Sequence, residues 1–440
     1  MGKTAIVSAR LDLTALKQTP YWWEAAPREA PDHAPLPAAA DVVVVGAGYA
    51  GLSAALTLAR AGREVLVLDA EAPGFGGSSR SGGMVGHGHR LSYSALIAKY
   101  GKPKAQALIR EGMASLDFAT SLIEREGIDA RFRRVGRFRG AATPADYEVQ
   151  AREADLLQRD LGLPVEVVPR AEQHREIASN LYHGGVLFPA HGGLHPALFH
   201  QGLLRVARAA GARVVGHTPA LSITREGAGH VVRTARGEIR AGEVLVATNG
   251  YSAARPAAAV ARRVVALPSF MIATERLGPN RVGALVPNGR MLVETAATHL
   301  YFRPSPDGER LVLGGRAALH PLALQEAATR LGGHLQRVFP DLGTLRLDHV
   351  WTGFVAMTRS DLPGIGQDAE GRWYTLGCNG SGVALMPYLG HKVALKMLGD
   401  AEGATAFDDI PTGSTPFLFA RPLIRRALSA WWRAKDALRR

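Results

Sequence analysis

The run from Asp41 to Asp69, DVVVVGAGYAGLSAALTLARAGREVLVLD, limits the fold of this chain more than any other stretch. Four consecutive valines, Val42 to Val45, read as a strand buried on both faces, the pattern of a parallel sheet. Gly46, Gly48 and Gly51 follow, then an apolar helix to Arg60, a turn at Gly62, and a second strand, Val65 to Leu68. Gly46 suits the tight turn, Gly48 lets a pyrophosphate approach the backbone, and Gly51 lets the helix pack closely on the strand. The free N–H groups and positive dipole end of that helix face the phosphates. Asp69 ends the second strand where ribose hydroxyls would donate to it. Together these make a dinucleotide site, to which Tyr49, Ala50 and Ala70 also belong. Val42 to Ala59 contains no charged residue and is about as long as a membrane span. Glycines at this spacing argue for strand, turn and helix instead, so no transmembrane helix is expected.

At 440 residues the chain has room for two elaborated domains or three ordinary ones. Residues 1–39 form a proline-rich arm containing Tyr21, Trp22 and Trp23. Residues 91–164 read as helical, with periodic stretches at Ala105–Gly127 and Pro144–Leu161. A strand at Val165–Val168 follows, and Pro196 opens a helix to Ala210. Leu221–Thr224, Val231–Thr234 and Gly242–Gly250 read as strands of the dinucleotide sheet. The alternating runs Ser269–Thr274, His299–Arg303 and Arg310–Gly315 suggest an antiparallel sheet, closed by a helix at Leu324–Phe339. The dinucleotide domain is therefore expected to be discontinuous, over 40–90, 165–265 and 345–400. A second domain, over 91–164 and 266–344, is inserted twice, and 401–440 is a tail.

A second glycine cluster, Gly76-Gly-Ser-Ser-Arg-Ser-Gly-Gly-Met-Val85, begins seven residues after Asp69. A nicotinamide enzyme has no need of it, whereas a flavin ring must lie flat against bare backbone. Near the C-terminus, Gly377-Cys-Asn-Gly-Ser-Gly-Val383 precedes an apolar helix whose N–H groups suit the electron-rich edge of a flavin. With VLVATNGY, YFRP, LVLGGR and WTGFVAMTRSDLPGIG, these clusters resemble the FAD-dependent glycine oxidase and D-amino-acid oxidase superfamily. Within it, the gamma-glutamylputrescine oxidoreductase type is the nearest likeness, over about residues 20–400. The resemblance implies an α/β fold: a discontinuous Rossmann-like FAD-binding domain with an inserted α+β antiparallel-sheet substrate domain. It implies that Gly46, Gly48 and Gly51 hold the pyrophosphate and Asp69 the ribose. Gly77, Ser78, Ser79, Arg80, Ser81, Gly82, Gly83 and Met84 would line the ribityl chain and ring, and Ala220 would meet adenine. Thr248, Asn249 and Gly250 would pack beside the cofactor, and Asn379, Gly380, Ser381, Gly382 and Val383 would cradle its pyrimidine edge.

Two departures sharpen the expectation. The family's amino-acid oxidases commonly carry a carboxylate-binding arginine after the WxG motif; here Phe354 to Thr358 hold no cation. That favours oxidation of a C–N bond in an amine or N-substituted amino compound, by hydride transfer to flavin N5. The positions of covalent attachment in relatives correspond to Val355–Met357 and Ser81, so FAD is expected to be non-covalent. His87, His89, His299 and Tyr301 are candidates for contact with the amine, and Arg303 and Arg316 for an anion. No metal site is expected from the His pairs at 87 and 89 or 191 and 195.

No lysine lies between Lys104 and Lys392, so the electron acceptor is left as O2 or a quinone. Of the net charge of +13, residues 421–440 hold seven basic side chains and one acid. They read as a basic amphipathic helix that docks on the body or on a membrane surface. A single cysteine, Cys378, and no evident signal peptide fit a cytoplasmic protein, peripheral to the inner membrane face in the second case. Nucleic acid is not an expected partner. The competing readings are a membrane-associated amino-acid dehydrogenase that reduces a quinone, and a flavin-containing tRNA-modifying protein.

Overall fold

The computed structural model describes residues 11–252, 256–296, 299–414, 427 and 430–431. Two large sheets organise them. In the first, Ala39–Val45 lies between Val65–Leu68 and Gly237–Val246 and pairs in parallel with both. Arg213–Val215 extends one edge, and the hairpin strands Gly229–Thr234 and Ser222–Glu226 extend the other. The four valines are shared between its faces. Val42 and Val44 pack with the helices Tyr49–Arg60, Pro196–Ala209 and Gly382–Met397. Val43 and Val45 pack on the opposite side with Leu66, Val244 and Leu376. Burial on both faces explains why this strand shows no polar alternation.

The second sheet has nine strands. From one edge they run Leu11–Asp12, Leu345–Met357, Val265–Thr274, Leu311–Gly315, Tyr301–Pro304, Met291–Glu294, Arg137–Gly140, Gly185–Phe188 and Glu166–Val168. One face is apolar: Phe138, Phe270, Ile272, Phe302 and Leu313 pack beneath the helix Leu324–Val338. The other face turns towards the first sheet and forms one wall of a large cavity. The expected antiparallel pairing of residues 266–316 is present.

Three segments depart from the sequence reading. Glu166–Val168 and Leu345–Met357, assigned by sequence to the dinucleotide domain, pair in the nine-stranded sheet. Leu345–Met357 alternates apolar and polar side chains over its first half, as a half-buried antiparallel strand does. Residues 91–164 are helical at Tyr93–Tyr100, Lys102–Arg125 and Pro144–Leu161, but Arg137–Gly140 is a strand. Its sequence, RFRG, alternates charged and aromatic residues over too short a run to announce itself. We propose the boundary between the sheets as the domain boundary, which transfers 165–188 and 345–357 to the substrate domain.

The N-terminal arm packs on the edge of the second sheet. Leu11 and Asp12 pair with Leu345 and Arg346, and Trp22 is wholly buried between the rings of His195 and Trp351. Among the described residues no helix is long and apolar enough to cross a membrane. Most of the basic tail at 421–440 lies outside the described residues; Ala427, Ala430 and Trp431 are exposed.

Candidate functional site

A cavity of about 950 Å³ runs between the two sheets. Its dinucleotide end is made of main chain. Gly46 adopts φ +110°, and a Cβ there would lie 2.9 Å from the Ala247 carbonyl oxygen. At Gly51 a Cβ would lie 1.9 Å from the Gly46 oxygen, so the helix can rest on its own loop only with glycine. Gly51 is thus a packing residue behind the cavity wall, whereas Gly46 and Gly48 line it. The helix that follows has no side-chain cap at Gly48; the Ser78 hydroxyl accepts from the Tyr49 N–H at 2.9 Å.

Asp69 lies beside this loop and accepts hydrogen bonds from the Ala47 and Glu71 N–H groups at 2.8 and 3.1 Å. Burial pushes its pKa up to about 6, against the lowering effect of those two bonds. The helix Gly382–Met397 brings a second uncapped N-terminus to the same cavity. A Cβ at Gly390 would meet the Ala50 oxygen at 2.1 Å, so glycine permits the two helices to lie side by side. Asn379 supports this turn: its side chain accepts from the Thr358 N–H at 2.9 Å and donates to the Gly377 oxygen at 2.8 Å. Asn249 accepts from the Gly377 N–H at 2.8 Å, which ties the TNG turn to the C-terminal loop.

Most of the second glycine loop faces the cavity too. Gly77, Ser78, Arg80, Ser81, Gly82, Gly83 and Met84 all line it, as do Tyr49, Ala50, Ala70, Ala220, Thr248, Gly250, Gly380, Ser381, Gly382 and Val383. Ser79 does not. It is wholly buried, donating to the Gly74 oxygen at 2.5 Å and accepting from Trp23 Nε1 at 2.8 Å. Arg80 fastens the loop as well as lining the cavity. Its guanidinium donates to the Phe75 and Thr352 oxygens and stacks over the rings of Phe75 and Trp23 at 4.1 and 4.7 Å.

The three candidate catalytic residues separate. Tyr301 lines the cavity, with its hydroxyl 3.1 Å from that of Ser269. Two glycines make room for its ring: a Cβ at Gly82 would lie 2.9 Å from it, and one at Gly314 2.3 Å. Burial raises the Tyr301 pKa, so the phenol stays protonated. His87 lies behind the wall, packed edge-on against His191 with ring centroids 4.4 Å apart, and burial lowers its pKa to about 4. Arg303 is buried and is no anion partner. It donates to the oxygens of Gly83, Leu194 and Pro304 at 3.1, 2.8 and 3.0 Å, and so props the second loop from below. A buried cation shared among carbonyls has little capacity left for a substrate.

Residues that sequence reasoning missed stand at the far end of the cavity. Arg137 and Arg139 line it together with Met271, Ser269 and Phe354. The signal lay in the alternation of Arg137, Phe138 and Arg139, two cations on one face and an aromatic ring on the other. Arg316 and His299, both weighed from sequence, line the same end. Desolvation within the cavity, reinforced by the charges of Arg316, Arg139, Arg137 and Arg90, lowers the His299 pKa and keeps its ring neutral. No cation from the segment after the WxG motif enters: Gly353, Phe354, Val355 and Met357 are its contributions.

Bare backbone at three loops, two helix N-termini and a carboxylate hydrogen-bonded to the first loop fit an extended adenine dinucleotide carrying a flat ring. The comparisons agree. The chain matches the FAD dependent oxidoreductase (DAO) family over residues 41–395 and belongs to it. It is 30% identical to the gamma-glutamylputrescine oxidoreductase of Escherichia coli K12 over 84% of this chain and 86% of that protein. It is also 30% identical to the probable oxidoreductase OrdL of Rhizobium meliloti, over 94% and 97% of the two chains. Among solved structures, glycine oxidase from Geobacillus kaustophilus superposes with a TM-score of 0.72 at 24% identity, over 86% of this chain and 99% of that one. The protein is therefore an FAD-dependent oxidoreductase of the DAO family, a family whose members act on amine and amino compounds.

Proposed function

We propose that the protein oxidises a C–N bond of an amine or N-substituted amino compound with FAD held non-covalently. FAD supplies, when bound, a two-electron acceptor at N5 for the hydride leaving the carbon beside nitrogen. The nitrogen lone pair forms the C=N bond of the product imine, which water then hydrolyses. Gly46, Gly48 and Asp69 would hold the dinucleotide, and Gly82, Gly83 and the Gly380–Val383 turn its ring.

The observation that carries this reading is the wall opposite the glycine loops. It offers Tyr301, Met271 and neutral His299, with no arginine from the WxG strand to clamp an alpha-carboxylate. A hydride donor must be the neutral amine. Arg316, which lines the cavity with Tyr301, would favour the neutral form, because a like charge opposes the ammonium proton. Tyr301 and Ser269, whose hydroxyls lie 3.1 Å apart in this wall, would orient the nitrogen. The acceptor that closes the cycle is O2 or a quinone.

An anaerobic titration tests the reading: amines, N-alkyl amino compounds and alpha-amino acids are added while flavin absorbance near 450 nm is followed. Amines and N-alkyl compounds are expected to bleach it. Bleaching by alpha-amino acids alone would overturn the proposal.

A further inference from the structure

We infer that the sheet-side wall of the cavity is an anion subsite, in which Arg137 and Arg139, helped by Arg316, bind a carboxylate that the substrate carries at a distance from its reacting nitrogen. This deepens the reading of the same site as an amine oxidoreductase and rests on it.

The strand Arg137–Gly140 is held rigidly in mid-sheet, parallel to Met291–Glu294 and antiparallel to Gly185–Phe188. Successive side chains on a strand point to opposite faces. Phe138 enters the apolar core, and Arg137 and Arg139 both point to the cavity. Their Cα atoms are about 7 Å apart, two residues along the strand. Phe188 lies 5.4 Å under the Arg137 guanidinium and limits where it can turn.

Neither arginine has a carboxylate in direct contact; Glu153 and Asp146 act on Arg139 only through space. Among the described residues no hydrogen bond or ion pair is made by the side chain of Arg137 or Arg139, and Arg137 Nε is buried without an acceptor. The acids that line the cavity are engaged elsewhere. Asp361 pairs with Arg90 at 2.8 Å, and Asp69 and Glu71 stand at the ribose end. His87 and His191, packed around Arg137, are kept neutral by burial and offer no counter-charge. A cation held in a cavity without a carboxylate to pair with is costly in proportion to its burial, and Arg137, partly buried, bears more of that cost than Arg139, which the open cavity leaves exposed. Two on one face of one strand, aimed into a ligand cavity, describe a site completed by an anion. Arg303, two strands further along the same face, shows the contrast: its Nε and Nη1 donate to carbonyl oxygens.

The register sets the distance. Arg139, Val293 and Tyr301 form one lateral row across three adjacent strands. Arg139 is thus about two strand spacings, roughly 10 Å, from Tyr301 at the backbone. That spacing suits a carboxylate at the end of a chain better than one next to the reacting carbon. The same charges repel a simple diamine or polyamine, so the favoured substrate pairs its amine with a remote carboxylate.

The test uses holoenzyme and the double variant R137Q/R139Q. Anaerobic flavin reduction is measured with N-alkyl omega-amino acids of graded length and with the matching carboxamides. For wild type, the second-order reduction constant should favour the acid by at least about 30-fold at the optimal length. In the variant the acid-to-amide ratio should fall to within about threefold, with FAD content and melting temperature as controls of folding. A separate calorimetric titration with glutarate should show binding to wild type that weakens with salt and is lost in the variant. Equal reduction by acid and amide in wild type, or an undiminished acid preference in the variant, would overturn the subsite. If no amine reduces the flavin, the proposed activity falls, and the glutarate titration still decides whether the arginines bind carboxylate.

Discussion

The two ends of the cavity are built from different materials. At the dinucleotide end the working surface is mostly backbone, with few side chains beside it, Asp69 and Ser78 among them. Gly46 and Gly51 are set so closely that a methyl group at either would strike a carbonyl. At the opposite end the wall is one face of a sheet, and its side chains are large: Tyr301, Met271, Arg137 and Arg139. A cofactor shared by many enzymes is met by features that any family member can repeat. A substrate is met by side chains whose identity can change without disturbing the strands beneath them.

This contrast can be broken or sharpened by experiment, and the largest effect should come from the backbone end. Gly51→Val would force the helix off the Gly46 carbonyl. Overpacking of this sort costs about 1–3 kcal/mol or more, and FAD affinity should fall by at least about 100-fold. Fluorescence titration of apo-protein with FAD measures it. Tight binding by a folded variant would show that the close approach is not needed.

Next comes Arg303→Met. This removes the guanidinium donor to the Leu194 carbonyl and one of the two donors to the Gly83 oxygen, and should cost about 3 kcal/mol of stability, whereas Arg139→Gln should cost less than about 1 kcal/mol. Chemical denaturation of the two variants separates a structural arginine from one held for a ligand. Equal losses would erase the distinction.

Asp69 provides a pH-dependent comparison. Its folded pKa lies above the unfolded value of 3.8, at about 6, so the folded form favours its proton. The associated stability is fully present below pH 4 and is lost as pH rises through about 6. In apo-protein, Asp69→Asn should therefore be relatively more stable above pH 6 than below pH 4, by up to about 3 kcal/mol. Bound FAD should reverse that order by drawing on the carboxylate. Melting temperatures across that range, with and without FAD, provide the check; a constant difference would show that Asp69 titrates normally.

The smallest effect should be that of Trp23→Phe. It removes the indole donor to Ser79 and should cost about 1 kcal/mol. FAD should dissociate a few-fold faster, as the second loop loses its tie to the N-terminal arm. An unchanged dissociation rate would mean that the arm packs on the loop without steadying it.

Much of the dinucleotide end was legible in advance, because each of its requirements falls on residues close together in the chain. The valine run, the GxGxxG loop and Asp69 lie within one strand–helix–strand unit, and the residues named there line the cavity or pack directly behind it. Ser79 sits where the glycine loop was expected to meet the flavin, yet its hydroxyl turns inward to Gly74 and Trp23. Nothing local distinguishes it from Ser78, which faces the cavity. His87 and Arg303 read as chemistry and proved to be supports, since their partners lie 104 and 109 residues away at His191 and Leu194. Arg137 and Arg139 were missed because a four-residue strand between long helices has too few alternations to be recognised.

What this sequence determined by itself was the presence and order of its glycine loops, since glycine is demanded wherever backbone must come within a carbonyl's reach. Only the tertiary structure decided which side chains face the substrate. That choice depends on strand register and on which face of the nine-stranded sheet is covered by the Leu324–Val338 helix. Register is a relation between segments far apart in the chain, and a shift of one residue would have sent Phe138 into the cavity and both arginines into the core.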